Sequence, residues 1–206
     1  MSDFFTKDSY SYDDIMNELP KDGVFKGYFS RKIKTKAGIL KYYLYTEDWK
    51  TLVLSAINPY SRNYMVSRSS IEYDEASDSF VGQLLSNSST NSYNAVDKNG
   101  EKKIGIEYKA IANRDRLFRQ LNVVVPTQKI IKQRLPVLEN GMWTLHFPEH
   151  NGIPSDKNLI IDYEEDFCFM FEKLEQDEFY FSVKWPLSIF EGFCLGLSTM
   201  KKYLDE

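Results

Sequence analysis

From Val24 onward the apolar residues recur at every second position, in short runs broken by turn residues. The clearest run is Phe179-Tyr-Phe-Ser-Val-Lys-Trp185, where Phe179, Phe181, Val183 and Trp185 fall on one face. That alternation is the pattern of a half-buried strand. Runs of this kind, rich in Val, Ile, Tyr and Phe, predict twelve strands. They span Val24–Ile33, Ile39–Tyr45, Thr51–Ile57, Asn63–Arg68, Phe80–Leu85, Ser92–Val96, Ile104–Ala110, Leu121–Val125, Trp143–Phe147, Leu159–Asp162, Phe167–Lys173 and Phe179–Trp185. Lys36-Ala-Gly38, Asp97-Lys-Asn-Gly100 and Asn140-Gly141 punctuate them as turns or loops. So many short strands in one chain imply a sandwich or a closed barrel.

The two ends of the chain break the period. Pro186 to Met200 opens with a proline at a helix-start position and stays apolar throughout. Leu187, Ile189, Phe190, Phe193, Cys194, Leu195, Leu197 and Met200 do not keep to one stripe, so the predicted helix is buried on every side. At ~14 residues it reaches ~21 Å, short of a ~30 Å hydrocarbon core, which places it inside protein. A barrel wide enough to admit it buries every face, with Gly192 and Gly196 as thin places where wall side chains approach. Their Gly-x-x-x-Gly spacing matches a membrane dimer motif, and the helix is too short for that use. Residues 1–20 read as a short polar tail and residues 21–206 as the barrel domain. Within the tail Ile15, Met16 and Leu19 share one face of a helix over Tyr12–Leu19, too short to hold in water alone, so fraying is expected.

Composition narrows the class without naming an activity. A chain of 206 residues suits one domain, and 14 Tyr with 14 Phe exclude disorder, since burying those rings offsets chain entropy. Two cysteines make no disulfide framework, and no apolar run or leader-like start is present, which leads to the expectation of a cytoplasmic protein. A net charge of −4 argues against a nucleic-acid partner. The charge is uneven, however. Lys21–Lys41 and Glu101–Arg134 each net +6, whereas Asp162–Glu178 nets −7. Were the two basic blocks side by side in the fold, they would make one cationic face for an anionic headgroup.

Four blocks in consistent order carry a resemblance. They are Ser61-Arg-Asn-Tyr-Met-Val-Ser67; Ser79-Phe-Val-Gly-Gln-Leu-Leu-Ser-Asn87; Ile106-Glu-Tyr108 with Arg119-Gln-Leu-Asn-Val-Val-Val-Pro126; and Phe179 to Ser198, ending Phe193-Cys-Leu-Gly-Leu-Ser198. The chain resembles the Tubby C-terminal domain through these blocks, from about Gly23 to Glu206. The resemblance implies a mainly β fold, a twelve-stranded closed antiparallel barrel around a central hydrophobic C-terminal α-helix. It also implies a non-enzymatic adaptor without cofactor. Such an adaptor binds phosphoinositides, phosphatidylinositol 4,5-bisphosphate above all, as a monomer on the inner face of the plasma membrane, with trafficking proteins or ciliary cargo as partners. The family's headgroup Lys and Arg fall here at Gln83 and Leu85, while its contacting asparagine is kept as Asn63. The cationic run before that asparagine is reduced to Arg62, and Lys102 and Lys103 lie near a further family arginine. The expected headgroup residues are therefore Arg62, Asn63, Gln83, Lys102 and Lys103. Each lysine or arginine at a membrane surface contributes about 1 kcal/mol, and phosphate hydrogen bonds add more. Losing two cations predicts a site weakened by roughly a hundredfold or rearranged. The alternative is a protein-interaction scaffold that has lost lipid binding and docks partners through Tyr10–Leu19.

The remaining chemistry-bearing residues read as structural. His146-Phe-Pro-Glu-His150 spells a zinc-protease pattern, but Pro148 denies it the helix that pattern needs. Cys168 and Cys194 sit among apolar neighbours and read as buried small hydrophobes. Glu164-Glu165-Asp166 reads as a loop, as does the arginine stripe Arg114, Arg116 and Arg119 around Leu117 and Phe118. No phosphate loop or nucleophile elbow occurs, and no enzyme is expected.

Overall fold

The computed structural model describes residues 9–34, 39–59, 63–87, 91–113, 116–125 and 131–200, with the backbone alone for 33–34, 112–113 and 116–119. Its elements in chain order begin with α1 (Tyr12–Met16), β1 (Val24–Lys34), β2 (Ile39–Thr46), β3 (Leu52–Ile57), β4 (Tyr64–Ser67) and β5 (Phe80–Ser86). There follow β6 (Ser92–Asp97), β7 (Lys102–Asn113), β8 (Arg116–Val124), β9 (Ile131–Gln133), β10 (Val137–Glu139) and β11 (Met142–Thr144). The chain finishes with β12 (Leu159–Tyr163), β13 (Asp166–Glu175), β14 (Glu178–Lys184) and α2 (Ile189–Thr199).

Twelve strands close into an antiparallel barrel in the order β1-β14-β13-β12-β9-β8-β7-β6-β5-β4-β3-β2, the fold that the resemblance implies and one of the two that the period-two pattern allows. β1 closes the ring, pairing with β2 on one side and with β14 on the other. One stave differs from the expectation. The run at Trp143–Phe147 is not in the wall: β11 pairs only with β10 as a separate hairpin, and the ninth stave is the three-residue β9. So short a stave shows no period, whereas Leu145 and Phe147 are apolar because they pack on the outside of the barrel. The stretch before Leu121, read as a loop, is instead the start of β8, which pairs with β7 from Arg116 onward.

α2 fills the lumen. Every residue from Ile189 to Thr199 is buried, which explains an apolar sequence without a stripe. Phe193 meets Phe29 of β1 at 5.5 Å between ring centroids, and Ser198 bonds Tyr108 of β7 at 2.6 Å. A methyl on Gly192 would lie 3.0 Å from Phe181 and 3.1 Å from Val183, and one on Gly196 would lie 3.2 Å from Phe171. The two glycines are the thin places that the wall requires. The helix starts later than Pro186 suggests: Ser188 is the N-cap and forms a capping box with Glu191.

Residues 9–20 do more than fray. α1 carries its own capping box, Ser11 with Asp14, and the segment seals one mouth of the barrel. Tyr10, Ile15 and Leu19 are buried in the main core, Leu19 N–H bonds Leu187 O at 3.1 Å, and Trp185 Nε1 donates to Glu18. At this plugged end, residues 9–23, 47–51, 68–79, 98–101 and 164–165 carry thirteen acids against four bases. At the opposite end, residues 58–59, 63, 87, 91, 134–158 and 176–177 carry four acids against two bases. The two basic blocks do not form one face, because β1–β2 and β7–β8 stand on opposite walls of the ring.

Candidate functional site

The expected headgroup residues sort by their place on the wall formed by β4 to β8. Tyr64, Val66, Leu84, Tyr93, Ala95, Ile104 and Ile106 face the lumen, so the alternate residues face outward. In register across this outer face, Met65 lies beside Gln83, Gln83 beside Val96, and Val96 beside Lys102. Gln83 and Lys102 are thus two strands apart on one surface, on the order of 10 Å.

Their environments differ sharply. Gln83 Nε2 donates to Glu75 Oε1 at 2.6 Å, which places a carboxylate where the resemblance expects a cation to work. Asn63 is exposed at the edge of the wall, and its Oδ1 accepts the Ser86 N–H at 3.2 Å. Arg62 lies outside the described residues. Lys102 and Lys103 part company, as neighbours in a strand do. Lys103 reaches the plugged end, 2.8 Å from Glu101 and 3.5 Å from the buried Asp97. Burial works against its charge, but Glu101 and Asp97 outweigh that and hold its pKa above the usual lysine value. The Tyr12 hydroxyl, raised chiefly by burial and then by Asp97, belongs to the same cluster.

Lys102 is exposed and makes no ion pair among the described residues. Its Nζ lies over Gly105, 3.0 Å from where a β-carbon would stand. A shallow groove of about 220 Å³ opens there, lined by Ser92, Asn94, Lys102, Glu107, Asn122 and Val124 among others. Glu107 is partly neutralised by Lys109 at 3.3 Å. Val124 leaves 63% of its surface to solvent. The groove can offer one ammonium group and two side-chain amides to an anion. Asn94 and Asn122 were not among the expected contacts, although the inward phase of Tyr93, Ala95 and Leu121 marks them as outward-facing.

No family model and no curated protein matches this chain.

Other reactive groups point away from a common centre. His146 Nε2 bonds Glu139 at 2.9 Å, whereas His150 stacks beside Tyr180, with ring centroids 4.2 Å apart. Among the described residues no three His, Cys, Asp or Glu side chains are grouped to hold a metal ion. Cys168 and Cys194 are buried; burial pushes the Cys168 thiol up to about 12 and raises Cys194 well above the usual value. Both thiols stay protonated and inert at neutral pH.

Proposed function

We propose that this barrel is a non-enzymatic, Tubby-like adaptor that docks on anionic, phosphoinositide-bearing membranes through a weakened and rearranged headgroup site. Two things support the reading: the four sequence blocks of the resemblance and a barrel wrapped around its C-terminal helix. The observation that carries it is Lys102, which makes no ion pair among the described residues and whose Nζ lies over Gly105 beside the amides of Asn94 and Asn122. One such lysine gives about 1 kcal/mol at a membrane surface, so the affinity is low and weakens with salt. The interaction places the protein on the inner face of the plasma membrane as a monomer, with trafficking proteins as its further partners.

The test is flotation with vesicles carrying phosphatidylinositol 4,5-bisphosphate, against vesicles of equal charge made with phosphatidylserine, at two salt concentrations. Preferential, salt-weakened binding is expected, with Lys102→Glu reducing it roughly tenfold. Lys103→Glu should leave binding almost unchanged. A Lys102→Glu protein that floats like the wild type overturns the site.

A second reading, a protein-interaction scaffold without lipid binding, is favoured by the Gln83–Glu75 bond and by the acids around Lys103. It does not suit Tyr10–Leu19 as a free docking peptide, because that segment is spent on sealing the barrel. Capture of a partner that survives deletion of residues 1–20, in a protein that ignores every vesicle, would favour it.

A further inference from the structure

Residues 145–158 cross the outer wall of β1, β14 and β13 as a strap. Leu145 and Phe147 pack on Ile160, Met170 and Tyr180, and Ile153 N–H bonds Lys173 O at 2.7 Å. The centre of the strap sits on one carboxyl. Glu172 is wholly buried, and its Oε1 accepts the Gly152 N–H at 2.6 Å. A β-carbon on Gly152 would lie 2.5 Å from Glu172 Cγ and 2.5 Å from Lys173 O, so only glycine lets the strap backbone come down this far. The other oxygen, Glu172 Oε2, lies 3.8 Å from His150 Nδ1. That separation suits an ion pair but is too long for a hydrogen bond, and neither atom has a hydrogen-bond partner among the described residues. Tyr180 packs against the imidazole, ring centroids 4.2 Å apart, and a third of the His150 side chain stays open to solvent.

The charges around this pair come from each element packed on it. The strap supplies Glu149, held by Lys26 of β1 at 2.7 Å and by Tyr180 of β14 at 2.8 Å. Tyr180 keeps its proton, because burial and then Glu149 and Glu47, from the turn after β2, all raise its hydroxyl. Lys26 and Glu149 cancel, so the pair decides the balance. With one proton on the pair the cluster is neutral; without it, a wholly buried carboxylate stands uncompensated. Burial raises the Glu172 carboxyl, Glu149 adds to the rise, and the Gly152 N–H and His150 oppose it. A buried charge of this kind is relieved by a proton or by water, and water reaches it when the strap lifts. We infer that His150 and Glu172 form a proton-operated latch: one proton between them seats the strap, and its loss lifts the strap from Ile160, Met170 and Tyr180. Whichever atom carries the proton, a shift of about 1 Å brings the two into hydrogen-bond range. An imidazole partner sets the exchange around neutral pH, and its exposed edge gives the proton a way out. The pair binds that proton more tightly with the strap seated, so the seat is firm on the acid side of neutrality and loosens as pH rises. The latch is independent of the membrane reading.

The test is amide hydrogen exchange on the full chain, followed by NMR from about pH 5.5 to about pH 8. Rates are expressed as protection, which removes the intrinsic pH dependence of exchange. Protection at Gly152 and Ile153 should fall roughly tenfold as the pH rises, the equivalent of one pKa unit, while the α2 amides keep theirs. The His150 ring and the Glu172 carboxyl should titrate together, with a midpoint that matches the loss of protection. Glu172→Gln keeps an acceptor for Gly152 N–H and gains a donor for a neutral imidazole, so its strap protection should stay level across the range. Circular dichroism in the near ultraviolet confirms that this variant is folded. Three outcomes overturn the latch. One is strap protection in the wild type that does not change with pH. Another is a fall that the α2 amides share equally, which makes it global unfolding. The last is a fall that persists unchanged in Glu172→Gln, which places the responsible proton elsewhere.

Discussion

The described residues form two apolar clusters, and they are held in different ways. The larger fills the lumen around α2, inside a ring of twelve hydrogen-bonded strands. The smaller lies on the outer wall, where Ile160, Met170 and Tyr180 are roofed by Leu145 and Phe147 from the strap over residues 145–158. In the lumen the hydroxyls of α2 bond within the helix: Ser198 Oγ donates to Leu195 O and Thr199 Oγ1 to Gly196 O. The outer cluster depends on polar fasteners: Lys26 and Tyr180 donate to Glu149 at 2.7 and 2.8 Å, Gly152 N–H to Glu172 Oε1 at 2.6 Å, and Ile153 N–H to Lys173 O at 2.7 Å. Glu172 Oε2 and His150 Nδ1, both buried and 3.8 Å apart, lack a hydrogen-bond partner among the described residues. A closed ring of strands holds its core by backbone pairing and needs only its mouth sealed, whereas a strap must be pinned by side chains, and the pins leave orphaned polar groups behind.

The comparison breaks hardest at Phe193, whose ring is fully buried against Phe29. Phe193→Ala should cost about 3–5 kcal/mol, measured by urea denaturation, because a ring enclosed by a barrel cannot be replaced by collapse of the wall. Met170→Ala on the outer wall should cost less, about 2 kcal/mol, since the strap can settle into the space. Equal costs would mean that the strap is as rigid as the ring.

pH sharpens the same contrast. Burial raises the Glu191 carboxyl at the plugged mouth to about 7, although Ser188 N–H and Oγ work against the rise and Glu18 adds to it. A carboxyl whose folded pKa exceeds its unfolded one contributes stability fully present below about 4.5 and lost as pH rises through about 7. The loss is of the order of 3 kcal/mol. Glu172 is also raised, by burial first, so its contribution has the same sign. Glu191→Gln keeps a capping-box side chain and removes the mouth's share. Its melting temperature should match the wild type at pH 4 to 5 and exceed it at pH 8. Glu172→Gln should flatten the slope at the strap instead. A wild type whose melting temperature is level from pH 5 to 8 would contradict both.

A milder probe of the lumen is Gly192→Ala. Alanine favours the helix by about 1 kcal/mol, but its methyl at 3.0 Å from Phe181 forces the ring to move, at a cost of about 1–3 kcal/mol. A net loss of about 1 kcal/mol is expected by urea denaturation, and a gain would show that the wall yields at this point.

These contrasts follow what the sequence made legible. Lumen positions announce themselves through strict alternation, as in Phe179, Phe181 and Val183, and through the stripeless α2, so the barrel and its helix could be read residue by residue. The strap hid because its apolar residues imitate a strand: Trp143, Leu145 and Phe147 alternate, yet only Trp143 lies in one. β9 hid for the opposite reason, having three residues with Ile131 alone buried. In the candidate site the sequence singled out Lys102 and Lys103 as a pair, but strand geometry and the acids Asp97 and Glu101 separate them. Such separation depends on neighbours brought from other strands, as with Glu75 beside Gln83, and no local pattern records it.

The smallest effect probes whether strap and ring open together. Glu149 is held below the usual carboxylate range: burial opposes its charge, but the donors Lys26 and Tyr180 prevail. A carboxylate depressed in this way stabilises above its unfolded pKa and loses that contribution as pH falls, the reverse of Glu172, the β13 carboxyl to which the strap's Gly152 N–H donates. Because the pair is partly exposed, its worth is about 1 kcal/mol at most. Glu149→Gln should therefore speed amide exchange at Ile153 roughly fivefold near pH 7, through local opening, while the amides of α2 keep their rates. The increase should shrink only as pH falls below the usual carboxylate range, where the wild type itself loses the charge. If the α2 amides speed up by the same factor, the outer cluster unfolds only with the lumen, and the two regions are one cooperative unit.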